Sequence, residues 1–558
     1  MKSTVGSYLA SRIAQAGTRD FFTVPGDFNL VLLDELLKQQ DLRMIGCCNE
    51  LNAGYAADGY ARSTGGLSVV VVTYMVGGLS VINAAAGAYS DDLPVLVVSG
   101  GPNTNDAPAG HRIHHTLGET DFYQTERCFA PVVAKTFNIR NLQEAPQLID
   151  AAITTCLATR KPVYLEIACN LAGAAIPAPH PLTLPPVPVA SDAAALAAAV
   201  DAAAARINAA VKPVLVAGVK LRRSGACDAF LKLADALGCA VAVMPDAKGL
   251  VPENHPAFIG TYWGVVSSPS CVEIVESSDC QIFAGPTFTD YTTTGWTTLN
   301  SAAKLIHAGP DFLRMDGADI SGIQLAEFLD ALAAKVKRND TSLVSFRRQQ
   351  ETVAPQVPAA ESVPLALKEI RRQIQALITP ESDIVVETGD SWFNGQKLHL
   401  PAGARYFFQM QYGSIGWATG ATLGVALGAA PGRRTIALIG DGSFQLTAQE
   451  VSTMIRHEAT PIIFLFNNRG YTIEVEIHDG PYNNIKNWNY AGLMDVFNAG
   501  EGNGLGLLAT TAGELAEAVS KALAHHGPVL IECALDRDDC SAELLEWGSR
   551  VAAANGRA

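Results

Sequence analysis

Short apolar runs alternate with helix-like segments along the whole chain, and this alternation restricts the fold more than any other feature. Ten of these runs have the length and composition of strands: Leu67–Thr73, Leu93–Ser99, Pro162–Ile167, Pro213–Ala217, Ala240–Met244, Gln281–Ala284, Asp383–Glu387, Thr435–Ile439, Ile462–Phe466 and Val529–Cys533. Apolar strands joined by helices are typical of parallel sheets with helices on both faces. The sequence therefore predicts an α/β protein with doubly wound parallel sheets.

Two breaks divide the 558 residues into three parts. Residues 177–188 contain six prolines and predict a semi-stiff linker, and the Ala-rich segment Asp192–Ala210 predicts the first helix of the next domain. A second break, polar and proline-bearing, spans residues 339–364. We therefore predict three domains of ordinary size, at residues 1–180, 190–340 and 360–558.

Composition and charge exclude several classes of protein. Apolar residues make up 48% of the chain and charged residues 17%, which argues against disorder. A net charge of −15 disfavours nucleic acid and anionic membranes as partners. The 11 cysteines form no C-x-x-C pair, so a zinc site is not expected. The first residues lack a long apolar stretch, and we expect a cytoplasmic protein.

Two long uncharged stretches raise the question of a membrane span. Residues 63–90 and 406–432 each have sufficient length for one. Both are interrupted by small and polar residues, including Gly77-Gly78 and Gly413-Ser414. A strand, a loop and a buried helix rich in glycine and alanine is the better interpretation of each, and we expect no membrane segment.

Two polar motifs follow successive apolar strands near the C-terminus. Asp441 lies in Gly440-Asp441-Gly442 after the run 435–439, and Asn468 follows the run 462–466. Asn468 comes 27 positions after Asp441. This spacing leaves room for one helix, and the carboxyl ends of parallel strands meet in a common crevice. Carboxylate and amide oxygens suit Mg²⁺, while glycines and a helix N-terminus suit a diphosphate. The sequence predicts a magnesium diphosphate site.

This arrangement resembles the signature of the thiamine-diphosphate-dependent enzymes that act on 2-oxo acids. Residues 440–450 and 470–483 are similar to the pyruvate decarboxylases of that family, and the similarity extends from Tyr8 to about Gly548. The resemblance implies the thiamine-diphosphate-binding fold, with similar first and third domains. The first would hold the pyrimidine, the third the diphosphate and Mg²⁺, and the central domain would be structural or regulatory.

The resemblance also implies the residues that hold the cofactor. Those that match cofactor-binding positions of the family are Glu50, Thr388, Asp390, Gly413, Ile415, Asp441, Gly442, Ser443, Asn468 and Ile473. The metal ligands would be Asp441, the side-chain oxygen of Asn468 and the carbonyl of Gly470. Without the resemblance, Asp390 would be interpreted as a turn aspartate and Ile415 as a core residue.

Five residues match the catalytic groups of the family: Glu50, Asp27, His114, His115 and Glu474. The resemblance gives Glu50 the role of activating the cofactor through its pyrimidine, and the other four the protonation of the enamine that remains after CO2 leaves a C2-thiazolium adduct. Structural alternatives are a helix-dipole carboxylate for Glu50, a turn or cap for Asp27 and solvated side chains for the histidines. We expect Glu474 to lie in an apolar site, because its role needs the protonated form near neutral pH.

Bulky residues match the substrate pocket of the family: Tyr291, Thr388, Trp392, Ile473, Ile477, Trp488 and Trp547. Such a pocket favours a short 2-oxo acid, and the implied reaction is the non-oxidative decarboxylation of pyruvate to acetaldehyde and CO2. The alternative substrates are aromatic 2-oxo acids such as indolepyruvate or phenylpyruvate. Less favoured functions are carboligation and non-catalytic cofactor binding.

The resemblance implies that two chains build each active site. In the family, the first domain of one subunit and the third domain of another enclose the cofactor. We therefore expect at least a homodimer, with a homotetramer favoured, and a small-molecule 2-oxo acid as the other partner.

Overall fold

The computed structural model of the chain describes residues 2–185, 189–298, 300–350 and 357–556. Residues 186–188 of the predicted linker, residues 351–356 of the second predicted break and the last two residues of the third predicted domain lie outside these ranges. Three helix-covered sheets lie one after another along the chain, which confirms the predicted fold class. The predicted domain limits stay predictions.

The first domain contains eight strands and seven helices. The strands are β1 (Lys2–Thr4), β2 (Asp20–Thr23), β3 (Arg43–Gly46), β4 (Ser68–Val72), β5 (Val95–Gly101), β6 (Lys135–Ile139), β7 (Val163–Ala168) and β8 (Ala175–Pro177). The helices are α1 (Val5–Gln15), α2 (Leu30–Leu37), α3 (Glu50–Thr64), α4 (Met75–Ser90), α5 (Asp106–Ala109), α6 (Gln124–Phe129) and α7 (Ala145–Thr159). Six parallel strands form a sheet in the order β3-β2-β4-β5-β7-β6, and β1 pairs with β8 in antiparallel fashion.

The described residues of the middle domain form seven strands and six helices. The strands are β9 (Pro213–Ala217), β10 (Ala240–Val243), β11 (Phe258–Thr261), β12 (Cys280–Ala284), β13 (Leu305–Ala308), β14 (Phe312–Met315) and β15 (Ala318–Ser321). The helices are α8 (Ala193–Ala209), α9 (Lys220–Arg223), α10 (Cys227–Leu237), α11 (Cys271–Glu276), α12 (Leu325–Ala333) and α13 (Thr341–Gln349), with a 3-10 turn at Pro245–Ala247.

One edge of the middle sheet differs from the wholly parallel arrangement that we expected. Strand β14 is antiparallel to both β13 and β15, and only Asp316 and Gly317 connect β14 to β15. Both residues have positive φ, +52° and +77°, which is the geometry that closes a two-residue hairpin. Helix α13 lies inside the predicted second break, and its Leu343 and Phe346 pack in the core of the middle domain.

The third domain contains six strands and nine helices among its described residues. The strands are β16 (Ser382–Val386), β17 (Arg405–Phe408), β18 (Arg434–Gly440), β19 (Ile462–Asn467), β20 (Leu505–Ala509) and β21 (Val529–Ala534). The helices are α14 (Leu367–Leu377), α15 (Asp390–Gln396), α16 (Trp417–Gly428), α17 (Asp441–Thr447), α18 (Glu450–Arg456), α19 (Thr472–Ile477), α20 (Leu493–Asn498), α21 (Ala512–Ala524) and α22 (Ala542–Asn555), with a 3-10 turn at Pro481–Asn483.

The first and third sheets have the same topology. The third sheet is parallel in the order β17-β16-β18-β19-β21-β20, which is the order of the first sheet strand for strand. This agreement confirms the predicted similarity of the two domains. The carboxyl ends of β18 and β19 lie side by side, so Asp441 and Asn468 meet at one edge.

Helices α3 and α16 cross at van der Waals distance and join the first domain to the third. A methyl group added at Gly424 would lie 1.8 Å from the carbonyl oxygen of Ala56, and one at Gly59 would lie 2.2 Å from that of Ala421. Trp417 at the start of α16 donates its indole N–H to Asp58 of α3, at 2.9 Å. This contact explains why both helices are rich in small residues.

None of the helices in the described ranges has the length and apolar character needed to cross a bilayer. The stretch 63–90 folds as β4 and α4, and the stretch 406–432 folds as β17 and α16. Both are therefore the strand, loop and buried helix that the sequence favoured.

Candidate active site

A cavity of about 220 Å³ opens at the carboxyl edge of the third sheet. It brings together the predicted residues Tyr291, Thr388, Asp390, Trp392, Gly413, Ile415, Asp441, Gly442, Ser443, Asn468, Gly470, Ile473, Glu474 and Ile477. All of them except Tyr291 come from the third domain, so the middle domain contributes one wall of the cavity.

Three oxygens converge where the sequence predicts the metal. The side-chain oxygen of Asn468 lies 3.2 Å from Asp441 Oδ1 and 3.1 Å from the carbonyl oxygen of Gly470. Neighbouring ligands in an octahedral Mg²⁺ site, with bonds of 2.0–2.1 Å, lie about 3 Å apart. Rotating the amide of Asn468 by 180° would instead let its NH2 group donate to both oxygens, with Thr472 Oγ1 bonded to the amide oxygen. The oxygens as oriented fit a small divalent cation.

Asp441 is held firmly and is almost fully buried. Its Oδ1 accepts a hydrogen bond from the N–H of Gly442 at 2.8 Å, and its Oδ2 accepts one from the N–H of Arg469 at 2.7 Å. Burial raises its pKa to about 7, although the surrounding backbone N–H groups oppose that shift. A bound cation would balance the part of the negative charge on Asp441 that these N–H groups leave uncompensated.

The turn around Gly442 is shaped for a close approach by a ligand. Asp441 begins helix α17, so Gly442 and Ser443 lie in the first turn, where backbone N–H groups lack partners within the helix. A methyl group at Gly442 would lie 2.5 Å from the ring of Tyr471, so a larger residue does not fit. Asp390 begins α15 on the opposite wall and accepts hydrogen bonds from Ser541, and burial raises its pKa to about 6.

Glu387 is a site residue that the sequence analysis recorded only as the end of a strand. It is fully buried and accepts hydrogen bonds from the N–H groups of Thr388, Gly416 and Ala418, at 2.9, 3.1 and 2.9 Å. Burial raises its pKa to about 7. This carboxyl group joins the turn at Thr388 to the loop that presents Gly413 and Ile415. A glutamate at the end of an apolar strand was the available signal.

Tyr291 is held in the cavity wall by three tryptophans. Its carbonyl oxygen accepts the indole N–H of Trp263 at 2.7 Å and that of Trp547 at 3.4 Å. Its ring contacts Trp392 and Trp547 edge to face, with centroids 5.8 and 4.9 Å apart. Trp263, which the sequence analysis missed, stacks on Phe393 at 4.9 Å. Trp547 therefore lies behind the cavity wall instead of lining it.

Three of the predicted catalytic residues cluster in the first domain, away from this cavity. His114 Nε2 lies 2.6 Å from Asp27 Oδ2, and His115 Nε2 lies 3.5 Å from Asp27 Oδ1. Both rings pack on Phe28. Burial opposes a lower pKa for Asp27, yet the hydrogen bond and charge of His114, together with the charge of His115, lower it. Asp27 and His114 are exposed in the single chain.

Glu50 also does not line the cavity of its own chain. It is the first residue of α3, after the N-cap Asn49, and its Oε1 lies against Gly77, where an added methyl group would approach to 3.1 Å. One chain thus brings the cofactor-binding residues of the third domain together and leaves Asp27, Glu50, His114 and His115 apart from them.

The expected apolar setting of Glu474 is not present in the single chain. Glu474 lies on the short helix α19 and lines the cavity, but its side chain is exposed. The expectation was wrong at the level of one chain because no residue of α19 is buried, so the helix covers the cavity without being covered itself. The Trp488 ring is tilted against that of Tyr490, with centroids 5.9 Å apart, and Trp488 is exposed and does not line the cavity.

The first and third sheets have the same strand order, and an oxygen-lined cavity lies at the carboxyl edge of the third sheet. Together with the family models that match along the chain, these features place it among the thiamine pyrophosphate enzymes. Family models match along the chain: "Thiamine pyrophosphate enzyme, N-terminal TPP binding domain" at residues 3–125, the central domain at residues 200–332 and the C-terminal TPP binding domain at residues 378–533. Thiamine pyrophosphate is thiamine diphosphate under its other name.

Curated proteins of similar sequence narrow the class. "Pyruvate decarboxylase 1" and "Pyruvate decarboxylase 4" of Arabidopsis thaliana are each 52% identical to this chain over its full length, covering 92% and 93% of their own lengths. "Pyruvate decarboxylase 1" of Pisum sativum is 51% identical over 99% of this chain and 94% of its own length. The chain belongs to the pyruvate decarboxylase family of thiamine pyrophosphate enzymes.

Proposed function

We propose that this chain catalyses the non-oxidative decarboxylation of pyruvate to acetaldehyde and CO2, with thiamine diphosphate and Mg²⁺. The observation that carries the proposal is the similarity of the whole chain to pyruvate decarboxylases at about 52% identity. The aromatic and bulky residues around the cavity support a substrate of this size. The same relatives favour pyruvate over the aromatic 2-oxo acids, which we do not propose.

Residues of the third domain would hold the cofactor. Asp441, Asn468 and the carbonyl of Gly470 would bind Mg²⁺, and the first turn of α17 with Asp390 would surround the diphosphate. The loop with Gly413 and Ile415, together with Thr388 and Ile473, would fix the rings. When bound, thiamine diphosphate would supply a nucleophilic carbanion at its thiazolium C2 for addition to the substrate carbonyl, and its positively charged thiazolium ring would accept the electron pair that CO2 leaves behind.

Acidic and basic side chains would move protons around that carbon. Glu50 of one subunit would exchange a proton with the pyrimidine ring, and Glu474 at the cavity opening would hold a proton near the substrate. Asp27 is already hydrogen-bonded to His114, and His115 lies 3.5 Å from the same carboxylate, so the three side chains would relay a proton. Ile473 and Ile477 would exclude water and favour the loss of charge that accompanies decarboxylation.

A homodimer is the smallest assembly that we propose, and a homotetramer is the favoured one. The separation of Glu50 and the Asp27–histidine group from the cavity in one chain supports a site completed by a partner subunit. A partner covering α19 would also give Glu474 the apolar setting that its role needs. We propose a cytoplasmic location for this assembly.

The test of this function is a product analysis of the purified protein with pyruvate, thiamine diphosphate and Mg²⁺. We expect stoichiometric acetaldehyde and CO2, no flavin absorbance, and loss of activity on chelation or in Asp441→Ala. Acetolactate as the main product would establish a carboligase instead. Cofactor binding without any turnover would establish a non-catalytic relative.

A further inference from the structure

A second cavity, of about 440 Å³, lies between the middle and third domains. Helix α15 separates it from the catalytic cavity, because Asp390, Ser391 and Trp392 face one cavity while Phe393, Gln396 and Lys397 face the other. Its volume is within the range of about 300–1,000 Å³ that is typical of small-molecule sites. Neither the cofactor nor the substrate of the proposed reaction needs this space.

The walls of the second cavity combine aromatic surface with charged groups. Phe258, Trp263 and Phe393 form an apolar wall, and the ring planes of Trp263 and Phe393 are 6° from parallel. Lys397 and His399 are exposed, so the cavity opens to solvent on their side. A ligand that suits these walls has an apolar, planar part and at least one polar end.

Most charges in the second cavity neutralise one another. Glu253 accepts hydrogen bonds from Lys248 Nζ at 2.5 Å and from the N–H of Leu400 at 3.0 Å, and it lies 3.1 Å from His399 Nδ1. Lys397 forms an ion pair with Glu543 at the opening. These groups need no ligand for charge balance.

Arg371 is the exception among the described lining residues. Its guanidinium donates to the amide oxygen of Asn394 at 3.2 Å and forms no ion pair with a described carboxylate. Burial lowers its pKa, while Glu543 and Asp390 oppose that shift only through longer-range attraction. A half-buried cation without a carboxylate partner is costly unless an anion binds to it. The cavity thus has a positive excess in a chain of net charge −15.

We propose that the second cavity binds a small organic anion, whose carboxylate or phosphate group pairs with Arg371 and whose apolar part lies against Phe258, Trp263 and Phe393. The guanidinium presents parallel N–H groups that match either head group. The bound anion would lie one helix away from the catalytic cavity. Arg371 bonds to Asn394, and Asn394 Nδ2 donates to the backbone carbonyl of Asp390 at 3.0 Å.

Isothermal titration calorimetry of the holoenzyme with sodium benzoate tests this inference. Benzoate carries the predicted carboxylate on a planar apolar ring, benzyl alcohol is its uncharged counterpart, and inorganic phosphate carries a head group without a ring. We expect benzoate to bind and benzyl alcohol to bind at least tenfold more weakly. Phosphate should compete with benzoate if the head group of the natural ligand is a phosphate, and not if it is a carboxylate.

Two variants and a control place the binding in this cavity. Arg371→Gln should weaken benzoate binding at least tenfold, and Val266→Trp should abolish it by filling the cavity. Lys368→Gln removes one charge from the exposed face of the same helix, α14, and should bind benzoate normally. Unchanged affinity in Arg371→Gln would overturn the inference. So would full benzoate affinity in Val266→Trp, because benzoate would then bind outside this cavity.

Discussion

The first and third sheets share one strand order, yet their carboxyl edges differ in chemistry. The edge of the third sheet carries oxygen atoms suited to binding a metal ion and encloses a cavity, and Asp441 there is almost fully buried. The edge of the first sheet presents Asp27 and His114 to solvent. Under the proposed function, one fold would serve two purposes, holding a charged cofactor at one edge and presenting proton-transfer groups at the other.

Under the proposed function, this difference assigns the second half of the active site to another chain. Helices α3 and α16 pack so closely that the two domains of one chain are fixed to each other. Glu50, at the start of α3, does not line the cavity of its own chain, so the role that we propose for Glu50 requires a second chain. Each prediction below changes one side of this comparison.

Replacing Glu50, the carboxylate that we assign to the first domain's half of the active site, should have the largest effect on activity. Glu50→Gln should lower kcat by about 10²–10⁴-fold, the range typical of a lost general acid–base group, and slow the exchange of the cofactor C2 proton, measured by NMR in D2O after acid quench. Glu144→Gln, which removes an exposed carboxylate at the start of α7, is the matched control. If C2 exchange in Glu50→Gln has the wild-type rate, Glu50 does not activate the cofactor and serves only as a carboxylate at the N-terminus of α3.

Substitution of Glu387 tests how the loops at the carboxyl edge of the third sheet are held in place. Because its pKa is raised from 4.5 to about 7, the folded protein keeps a proton that the unfolded chain releases between these values. This contribution to stability is complete below pH 4.5 and is lost as the pH rises through 7, about 3 kcal/mol in all. In urea unfolding at pH 5 and pH 8, Glu387→Gln should lack this pH dependence.

The same substitution should also weaken cofactor binding, because a glutamine cannot accept from all three N–H groups that Glu387 binds. Glu381→Gln, at an exposed position just before β16, should keep the wild-type pH dependence. An equal loss of stability between pH 5 and pH 8 in wild type and Glu387→Gln would exclude Glu387 as its source.

The smallest effect is expected where the middle domain contacts the third. Trp263→Phe preserves the stack on Phe393 but removes the N–H that binds the carbonyl of Tyr291. Losing one such hydrogen bond costs about 1 kcal/mol, so KM for pyruvate should rise about fivefold with kcat nearly unchanged. Trp296→Phe, an exposed tryptophan in the same segment, is the control. A fall in kcat with constant KM would contradict a positioning role.

The sequence predicts the strands well where they are long, apolar and buried, as in β4 and β19. It missed several short strands, among them β2, β3, β6 and β20, because four or five residues give no clear periodicity. The Asp316-Gly317 hairpin was readable from its turn residues and was overlooked. Asp441 and Asn468 were predictable because both directly follow strands.

Other features depend on tertiary contacts that no local pattern records. Glu387 and Trp263 matter through their bonds to residues distant along the chain, at Gly416 and Tyr291. The expected apolar setting of Glu474 failed because it depends on what covers α19, which a single chain does not supply. Such roles follow from assembly as much as from sequence.

Mixing two inactive variants tests the shared site most directly. Glu50→Gln and Asp441→Ala should each be inactive alone, since every site then lacks one essential group. If Glu50 completes the cavity of a partner, an unfolded and refolded 1:1 mixture forms hybrid dimers in which one of the two sites is intact, and about a quarter of wild-type activity should return, by the pairing symmetry of a dimer. If Glu50 acts in its own chain, no hybrid contains an intact site, and a mixture that stays inactive would contradict the account.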